Sequence, residues 1–152
     1  MNKNKLQIEQ LESKIKVYAP ITKTAIPPTG WIKAVRLALG MSLQQLANRI
    51  SITKQSVQEM EQREKDGTIS LKSLREAAKS LDMELVYGFV PKDGSLDALI
   101  DRKARELATQ IVSRTSNTKK LEDQENSETR LINAIEQRKA ILKQQMPKIL
   151  WD

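Results

Sequence analysis

The sequence contains no cysteine and no histidine, and only five of its 152 residues are aromatic. Without cysteine there are no disulfides, thiolate metal sites or cysteine nucleophiles. Without histidine there is no imidazole acid–base catalysis, and most zinc sites are excluded. The five glycines never cluster, so the chain lacks a glycine-rich loop that cradles phosphate. Catalysis would depend on carboxylates or lysine alone, and we expect no enzyme activity and no cofactor.

Long apolar runs are also missing from the chain. None approaches the 18 residues that a membrane span needs, and the lysine-rich start lacks the apolar core of a signal peptide. We therefore expect a cytoplasmic protein without membrane contact.

Positive charge is in excess, with 26 Lys and Arg against 19 Asp and Glu and a net charge of +7. Such an excess suggests a polyanionic partner, and nucleic acid is the one we expect. The excess is spread thinly, however: +3 over residues 1–28, +2 over 29–91 and +2 over 92–152. Charge alone therefore does not identify the partner, and a motif is needed.

The chain is expected to be mainly α-helical, in three segments. Residues 1–28 contain an amphipathic helix over 3–18 and a connector kept extended by Pro20, Pro27 and Pro28. Residues 29–91 contain four helical patterns and a strand, and residues 92–152 form a helical extension. The four patterns span Trp31–Leu39, Leu43–Ile50, Lys54–Arg63 and Leu71–Leu81.

Residues that cap helices support these boundaries. Ser42, Thr53 and Ser70 are expected N-caps, and Gln45 completes a capping box with Ser42. Gly40 is suited to the left-handed turn that ends a helix.

Residues 84–91 differ from the helical segments because apolar and aromatic side chains alternate along them. This pattern predicts one short β-strand. A lone strand leaves its backbone groups unpaired, so it would pair either with a stretch such as Thr22–Ile26 or with a second copy of the chain.

The helical extension begins at Ser95, the expected cap of a helix with apolar residues at a spacing of three and four up to Val112. Residues 113–126 are polar and irregular, and a final helix from about Leu131 ends near Pro147. The simplest interpretation is that the extension has a structural role and completes the core or a dimer.

Three carboxylates, those of Asp93, Asp97 and Asp101, recur every four residues at the start of the extension. Paired carboxylates can bind a metal. Beside Arg102 and Arg105 we expect them to form a solvated, ion-paired face instead, and we expect no metal site.

Residues 43–62 have the pattern of two helices joined by a short turn. A steep crossing of two helices needs a small residue at their closest approach, and Ala47 supplies it. Five apolar residues are spaced to fill the wedge between the helices: Leu46, Ile50, Ile52, Val57 and Met60. The second helix would fit the major groove of DNA, with its N-terminal residues at base edges.

This segment resembles the helix-turn-helix of the phage-repressor-like (Cro/XRE) family, over about residues 31–82. Arg36, Ala47, Val57 and Glu61 match, whereas Ser51 stands where the family usually has glycine in the turn. The resemblance implies a repressor-like helical bundle. It also implies a buried ion pair between Arg36 and Glu61 that orders the domain without reading DNA.

The same resemblance implies which side chains contact DNA. The base-reading candidates are Lys54, Gln55, Gln58 and Glu59, because glutamine can bond adenine in a bidentate manner and lysine can donate to guanine. The phosphate-contact candidates are Ser42, Gln44, Thr53, Ser56, Arg63 and Lys72. The alternative is that each of these side chains is simply part of a solvent-exposed helix face and does not contact DNA.

The third helix, residues 53–64, holds two basic and three acidic residues, so it is a poor phosphate clamp alone. We therefore expect a homodimer on an inverted-repeat operator in double-stranded DNA, with half-sites about one helical turn apart.

A second resemblance spans most of residues 28–125. Thr29-Gly-Trp31, Arg36-Leu-Ala-Leu-Gly-Met41 and Leu85-Val-Tyr-Gly-Phe-Val-Pro91 look like the mobile mystery protein A group. That group is similar to antitoxins and is usually encoded beside a Fic-domain protein, which transfers AMP to hydroxyls of its targets. The resemblance implies a Fic-domain partner.

Inhibitors of Fic proteins carry Ser or Thr, then Glu four residues later, then Gly or Asn. Thr118 and Glu122 have this spacing, although Asp123 follows, and Ser80 with Glu84 fits it equally. The alternative for Thr118 and Glu122 is a polar loop.

These patterns predict a sequence-specific transcriptional repressor, the antitoxin and autoregulator of a Fic-type toxin–antitoxin operon. The alternative is an antitoxin that acts mainly by direct inhibition of a Fic AMP-transferase through its C-terminal helices. RNA binding is a distant third alternative, because exposed aromatic side chains that stack on bases are expected to be missing.

Overall fold

A computed structural model of the chain describes residues 3–116 and 124–152, with side chains over 4–115 and 127–152. The described residues form seven α-helices: α1 Lys3–Tyr18, α2 Trp31–Ala38, α3 Leu43–Ile50, α4 Lys54–Asp66, α5 Leu71–Ser80, α6 Leu96–Ser116 and α7 Gln124–Gln145. Short 3-10 helices cover Ala19–Lys23 and Lys148–Trp151. None of the helices within these ranges combines the length and apolar content of a membrane span. The mainly helical fold expected from the sequence is confirmed.

The first of two compact units, Thr22–Gly88, holds α2 to α5 around a small apolar core. Its buried residues are Ile32, Leu46, Ala47, Val57, Ala77 and Leu81. Ala47 has no exposed surface, as expected of the small residue where two helices cross. Ile50, Ile52 and Met60 pack against this core and are partly buried. The wedge predicted from the spacing of residues 46–60 is therefore present.

The helices of this unit begin at the caps that the sequence indicates. Ser42 and Gln45 form a complete capping box, with the Gln45 N–H donating to Ser42 Oγ at 3.0 Å and the Ser42 N–H donating to Gln45 Oε1 at 2.8 Å. Thr53 and Ser70 accept in the same way from Ser56 N–H and Ser73 N–H. These short-range bonds satisfy backbone donors that a helix start otherwise leaves free.

The second unit, Met1–Ile21 with Phe89–Asp152, consists of α1, α6, α7 and the terminal 3-10 helix. Ser95 caps α6 as predicted, because its Oγ accepts from the Ala98 N–H at 3.0 Å. Glu12 of α1 accepts from the Leu96 N–H at the same helix start. The buried core residues are Ile100, Ala104, Ala108, Leu142 and Leu150. The sequence predicts boundaries after residues 28 and 91, whereas contacts in the structure group α1 with α6 and α7.

The prediction of a β-strand at residues 84–91 is wrong for the single chain. Residues 83–91 form no ladder with any described residue. Of the proposed partner stretch, Thr22 and Lys23 belong to a 3-10 helix, and the remaining residues form no ladder with residues 84–91. A strand exists only where its backbone groups are paired, and alternation of side chains does not supply a partner.

Two helices extend into the stretch expected to be irregular. α6 continues to Ser116, and α7 already begins at Gln124. Thr109 and Thr115 donate from their hydroxyls to carbonyls four residues earlier, at 2.7 and 3.0 Å, so these polar side chains are accommodated within the helix. Polarity therefore marks an exposed helical surface here.

Candidate nucleic-acid interface

The turn between α3 and α4 is closed by bonds to a single carbonyl. Ala47 O accepts from the Ile52 N–H at 3.0 Å and also from the N–H of Ser51. Ser51 has φ 66° and ψ 44°, the left-handed conformation that glycine adopts at least cost. The departure from the family pattern at Ser51 therefore falls at a position where the backbone favours glycine.

The outer face of α4 carries the four base-reading candidates. Lys54, Gln55, Gln58 and Glu59 are all exposed. Within the described part of the chain, none of their side chains has a hydrogen bond or an ion pair. Four polar groups on one exposed helix surface are thus available to a ligand.

The opposite face of α4 is joined to α2 by a buried ion pair between Arg36 and Glu61. Arg36 Nη2 donates to Glu61 Oε1 at 2.8 Å, and Arg36 Nε lies 3.2 and 3.1 Å from the two carboxylate oxygens. Only 7% and 6% of the two side-chain surfaces are exposed. Arg36 Nη1 also donates to Met41 O at 3.1 Å. The pair implied by the family resemblance is therefore present, and it is buried between α2 and α4.

Glu64 has a structural role that the sequence analysis missed. Its two carboxylate oxygens accept from the Trp31 N–H at 2.8 Å and the Ile32 N–H at 2.9 Å, so it caps α2 from 33 residues away. Gly30, the N-cap residue of α2, lacks a capping side chain, and a Cβ there would lie 2.8 Å from the Glu64 carboxylate. The only sequence signal was that Gly30, and not a Ser, Thr, Asp or Asn, occupies the N-cap position of α2.

These contacts change the electrostatics of α4. Of the three acidic residues counted in residues 53–64, Glu61 is neutralised by Arg36 and Glu64 is bound to the start of α2. Of these three, Glu59 remains on the outer face with Lys54, and near the helix end the exposed charges are those of Arg63, Lys65 and Asp66. The surface available to a polyanion is therefore less acidic than the sequence count of the helix implies.

The phosphate-contact candidates fall into two groups. Ser42, Thr53, Ser56 and Gln44 already make local bonds: Ser42 and Thr53 are caps, the Thr53 and Ser56 hydroxyls lie 2.7 Å apart, and Gln44 Nε2 donates to Asn48 Oδ1 at 2.8 Å. Arg63 and Lys72 are exposed, and their side chains have no partner among the described residues. Arg63 and Lys72 are therefore available for phosphate contacts.

Arg49, at the end of α3, is another contact the sequence analysis did not single out. Its Nε donates to Ser80 O at 2.6 Å and its Nη2 to Asp82 Oδ2 at 3.0 Å. These bonds join α3 to the end of α5, where Asp82 itself has a positive φ of 57°. α3 and α4 are thus held by neighbouring helices on both sides.

The candidate Fic-inhibitory residues, Thr118 and Glu122, lie outside the described residues. For the second occurrence of that spacing, Ser80 is the last residue of α5 and Glu84 is exposed in the segment that follows it. That pair does not lie on one helix.

A comparison with protein families agrees with this geometry. Residues 32–87 match the helix-turn-helix family model HTH_3, which covers α2 to α5 and the first residues after α5. This part of the chain is a helix-turn-helix domain. It is of the Cro/XRE type expected from the sequence, and such domains bind DNA in transcription regulators. No curated protein and no solved structure matches the chain.

Proposed function

We propose that the chain is a sequence-specific transcriptional repressor that binds an inverted-repeat operator as a homodimer. The observation that carries this proposal is the outer face of α4, where four polar side chains are exposed and unpaired on a helix held by buried contacts. A rigid helix with free donors and acceptors can enter a major groove without first breaking its own bonds. Repression follows if the occupied operator overlaps the promoter.

Gln55 and Gln58 supply the base-specific part of this mechanism. Each amide has one acceptor and two donor hydrogens, which match the N6 and N7 edge of adenine. Both follow the N-cap Thr53 closely, within the first five residues of α4. The N-terminal end of a recognition helix is the part that meets base edges.

Lys54, Arg63 and Lys72 supply charge for phosphate contacts. Phosphate contacts hold the protein in register but carry no sequence information. Ser42, Thr53 and Ser56 can add neutral donors through their hydroxyl hydrogens. Each lysine or arginine that neutralises a phosphate adds about one to the slope of log affinity against log salt.

The test is operator binding by the Gln55→Ala variant, with a footprint on the promoter of the chain's own gene. We expect about 10- to 100-fold weaker binding to the operator, because one bidentate base contact is lost, and little change on random DNA of equal length. Gln137→Ala, at an exposed glutamine in α7, is the matched control and should bind as the parent does. Equal losses on both DNAs would remove Gln55 from base reading.

A second variant separates charge from base reading. Arg63→Ala should weaken binding to operator and random DNA by a similar factor and reduce the salt slope by about one. A selective loss on the operator would instead make Arg63 a base-reading residue.

We further propose that the operon controlled is a Fic-type toxin–antitoxin pair. This rests on the resemblance of residues 28–125 to the mobile mystery protein A group, and it is supported by a second helical unit with its own core, which DNA reading by α3 and α4 does not require. Thr118 and Glu122 would inhibit a Fic AMP-transferase by pairing with an arginine of its active site. If partner binding persists and DNA binding is absent at moderate salt, direct inhibition is the main function.

The first test is the identity of the adjacent gene, followed by copurification of its product with this chain. If Glu122 acts as proposed, Glu122→Ala restores AMP transfer, whereas Glu128→Ala, at an exposed glutamate of α7, does not. Unchanged inhibition by Glu122→Ala would refute the role of this residue.

A further inference from the structure

The residues after α5 form an irregular run whose backbone is unpaired except at its two ends. From Met83 to Pro91 the chain has no helix, turn or bend, and every φ is negative. The two ends are held, since the Met83 N–H donates to Ala78 O at 2.8 Å and Pro91 O accepts from the Gly94 N–H at 3.0 Å. Between them, the N–H and C=O groups of residues 84–90 make no hydrogen bond within the described part of the chain.

Large apolar side chains are exposed along the same run. Phe89 is 88% exposed, Val86 64% and Tyr87 53%. Tyr87 is held on one side, because its hydroxyl accepts from Arg75 Nη2 at 3.0 Å and the guanidinium lies 5.6 Å from its ring centre. A row of free backbone groups beside exposed β-branched and aromatic side chains is the edge that strand pairing covers.

We propose that residues 84–92, the pairing segment, form an antiparallel two-stranded ribbon with the pairing segment of a second copy, with the two-fold axis at Gly88. This inference rests on the homodimer of the proposed function and names its interface. The ribbon would supply the backbone partners that a single chain lacks.

Charge selects this register. In a symmetric antiparallel ribbon, a residue a given number of places before the axis faces the residue the same number of places after it. With the axis at Gly88, Glu84 faces Lys92 of the second copy, Val86 faces Val90 and Tyr87 faces Phe89. Opposite charges, β-branched side chains and aromatic rings are thus each matched across the ribbon.

Neighbouring registers lose the match. With the axis at Tyr87, the Glu84 carboxylate would face Val90. With the axis at Phe89, the Lys92 ammonium would face Val86. Both place a charge opposite an apolar side chain on each half of the ribbon.

Proline selects the hydrogen-bonding phase of the same register. Facing pairs alternate between those that exchange two N–H···O bonds and those that exchange none. Pro91 has no N–H and therefore suits a pair of the second kind, opposite Leu85. The two Gly88 residues then form a pair that exchanges two N–H···O bonds. The pairs of Val86 with Val90 and of Glu84 with Lys92 do the same.

The absence of cysteine allows a direct test by cross-linking, because an introduced thiol is the only one in the chain. In Gly88→Cys the two Cα atoms would lie about 5.5 Å apart, within reach of a disulfide, so oxidation should give a covalent dimer. Val86→Cys and Val90→Cys are the controls. In a dimer of either variant alone, the two introduced cysteines lie about 13 Å apart and should not cross-link. When the two variants are mixed, the cysteine at position 86 of one copy faces the cysteine at position 90 of the other, and a cross-link should form.

Charge exchange tests the register without a disulfide. Glu84→Lys should raise the dissociation constant of the dimer about tenfold, measured by sedimentation equilibrium, because it places like charges opposite each other at both ends. Adding Lys92→Glu should restore it. Glu76→Lys, at an exposed residue of α5, should have little effect.

The outcomes separate this inference from the proposed function when operator binding is measured on the same proteins. A monomer at all concentrations overturns the ribbon. A dimer also overturns the ribbon if two results occur together. Neither Gly88→Cys nor the mixture of Val86→Cys and Val90→Cys forms a cross-link, and the Glu84→Lys dimer has the same dissociation constant as the parent. If such a dimer still binds the operator, the proposed repressor function is unaffected. A cross-linked Gly88→Cys dimer without operator binding supports the ribbon and counts against the repressor.

Discussion

Ser51 and Asp82 hold turns of the helix-turn-helix domain at positive φ, 66° and 57°. A side chain in this conformation crowds its own backbone, at a cost of about 1–2 kcal/mol relative to glycine. At Ser51 the conformation lets two consecutive N–H groups bond to Ala47 O, so the strain closes the turn that orients α4.

We expect Ser51→Gly to raise the free energy of unfolding by about 0.5–1 kcal/mol, because the strain relieved exceeds the extra entropy glycine loses on folding. Urea unfolding measures the change. Gly67→Ala is the matched control, since Gly67 ends α4 at φ 79° with open space around a Cβ, and alanine there should lower stability by about 1 kcal/mol. Lower stability of Ser51→Gly would contradict this account of the turn.

At the scale of one element, α4 carries both the DNA-facing groups and the groups that fix its position. Glu61 and Glu64 bind α2 through the Arg36 side chain and two backbone N–H groups, while Gln55 and Gln58 stay free. The two functions are separated by exposure: Gln55 and Gln58 face solvent, whereas Glu61 is buried and Glu64 is partly buried against α2. Mutations of the α2-facing side should therefore act through stability.

Removing one partner of the buried pair tests this division. Arg36→Met should lower the free energy of unfolding by about 3–5 kcal/mol, because Glu61 is left buried without a counter-charge. The double variant Arg36→Met/Glu61→Leu should recover most of that loss. Glu106→Gln, which breaks an exposed pair with Arg102, should cost at most about 1 kcal/mol. A double variant no more stable than Arg36→Met would show that the pair contributes more than charge neutralisation.

For the molecule as a whole, the two units differ in how charge stabilises them. The helix-turn-helix unit has one buried pair, whereas α6 and α7 are joined by exposed and half-buried pairs in which Asp101 contacts Lys139 at 3.1 Å and Lys143 at 3.5 Å. Burial opposes ionisation of Asp101, but hydrogen bonds from these lysines outweigh it and lower its pKa. A hydrogen bond from Arg102 lowers the pKa of Asp93. Hydrogen bonds from Lys139 and Arg105 lower the pKa of Glu136.

Acid should therefore destabilise the unit formed by α1, α6 and α7. Carboxylates with a lowered pKa contribute stability above their ordinary pKa, about 4, and lose it as the pH falls because the unfolded chain takes up protons first. We expect the midpoint temperature of its thermal unfolding to decrease as the pH is lowered from about 5 to about 3. Asp101→Asn should be less stable at neutral pH and show a shallower fall. An unchanged slope in this variant would mean that Asp101 does not contribute to the acid response.

Local features of the fold could be predicted because their causes are local. The caps at Ser42, Thr53, Ser70 and Ser95 depend on residues within three positions, and the burial of Ala47 follows from the spacing of its neighbours. The Arg36–Glu61 pair was accessible through the family resemblance. Glu64 was not, because its partners lie more than thirty residues away and no local pattern marks them.

The sequence by itself determined the capped starts of α3 to α6, the helix-turn-helix and the absence of cysteine and histidine chemistry. Tertiary structure decided which charges on α4 remain available, because burial and pairing depend on what α2 brings to the opposite face. It also decided that the backbone of residues 84–90 has no partner among the described residues. Alternating side chains express a preference for pairing, but a strand forms only when another backbone segment lies beside it.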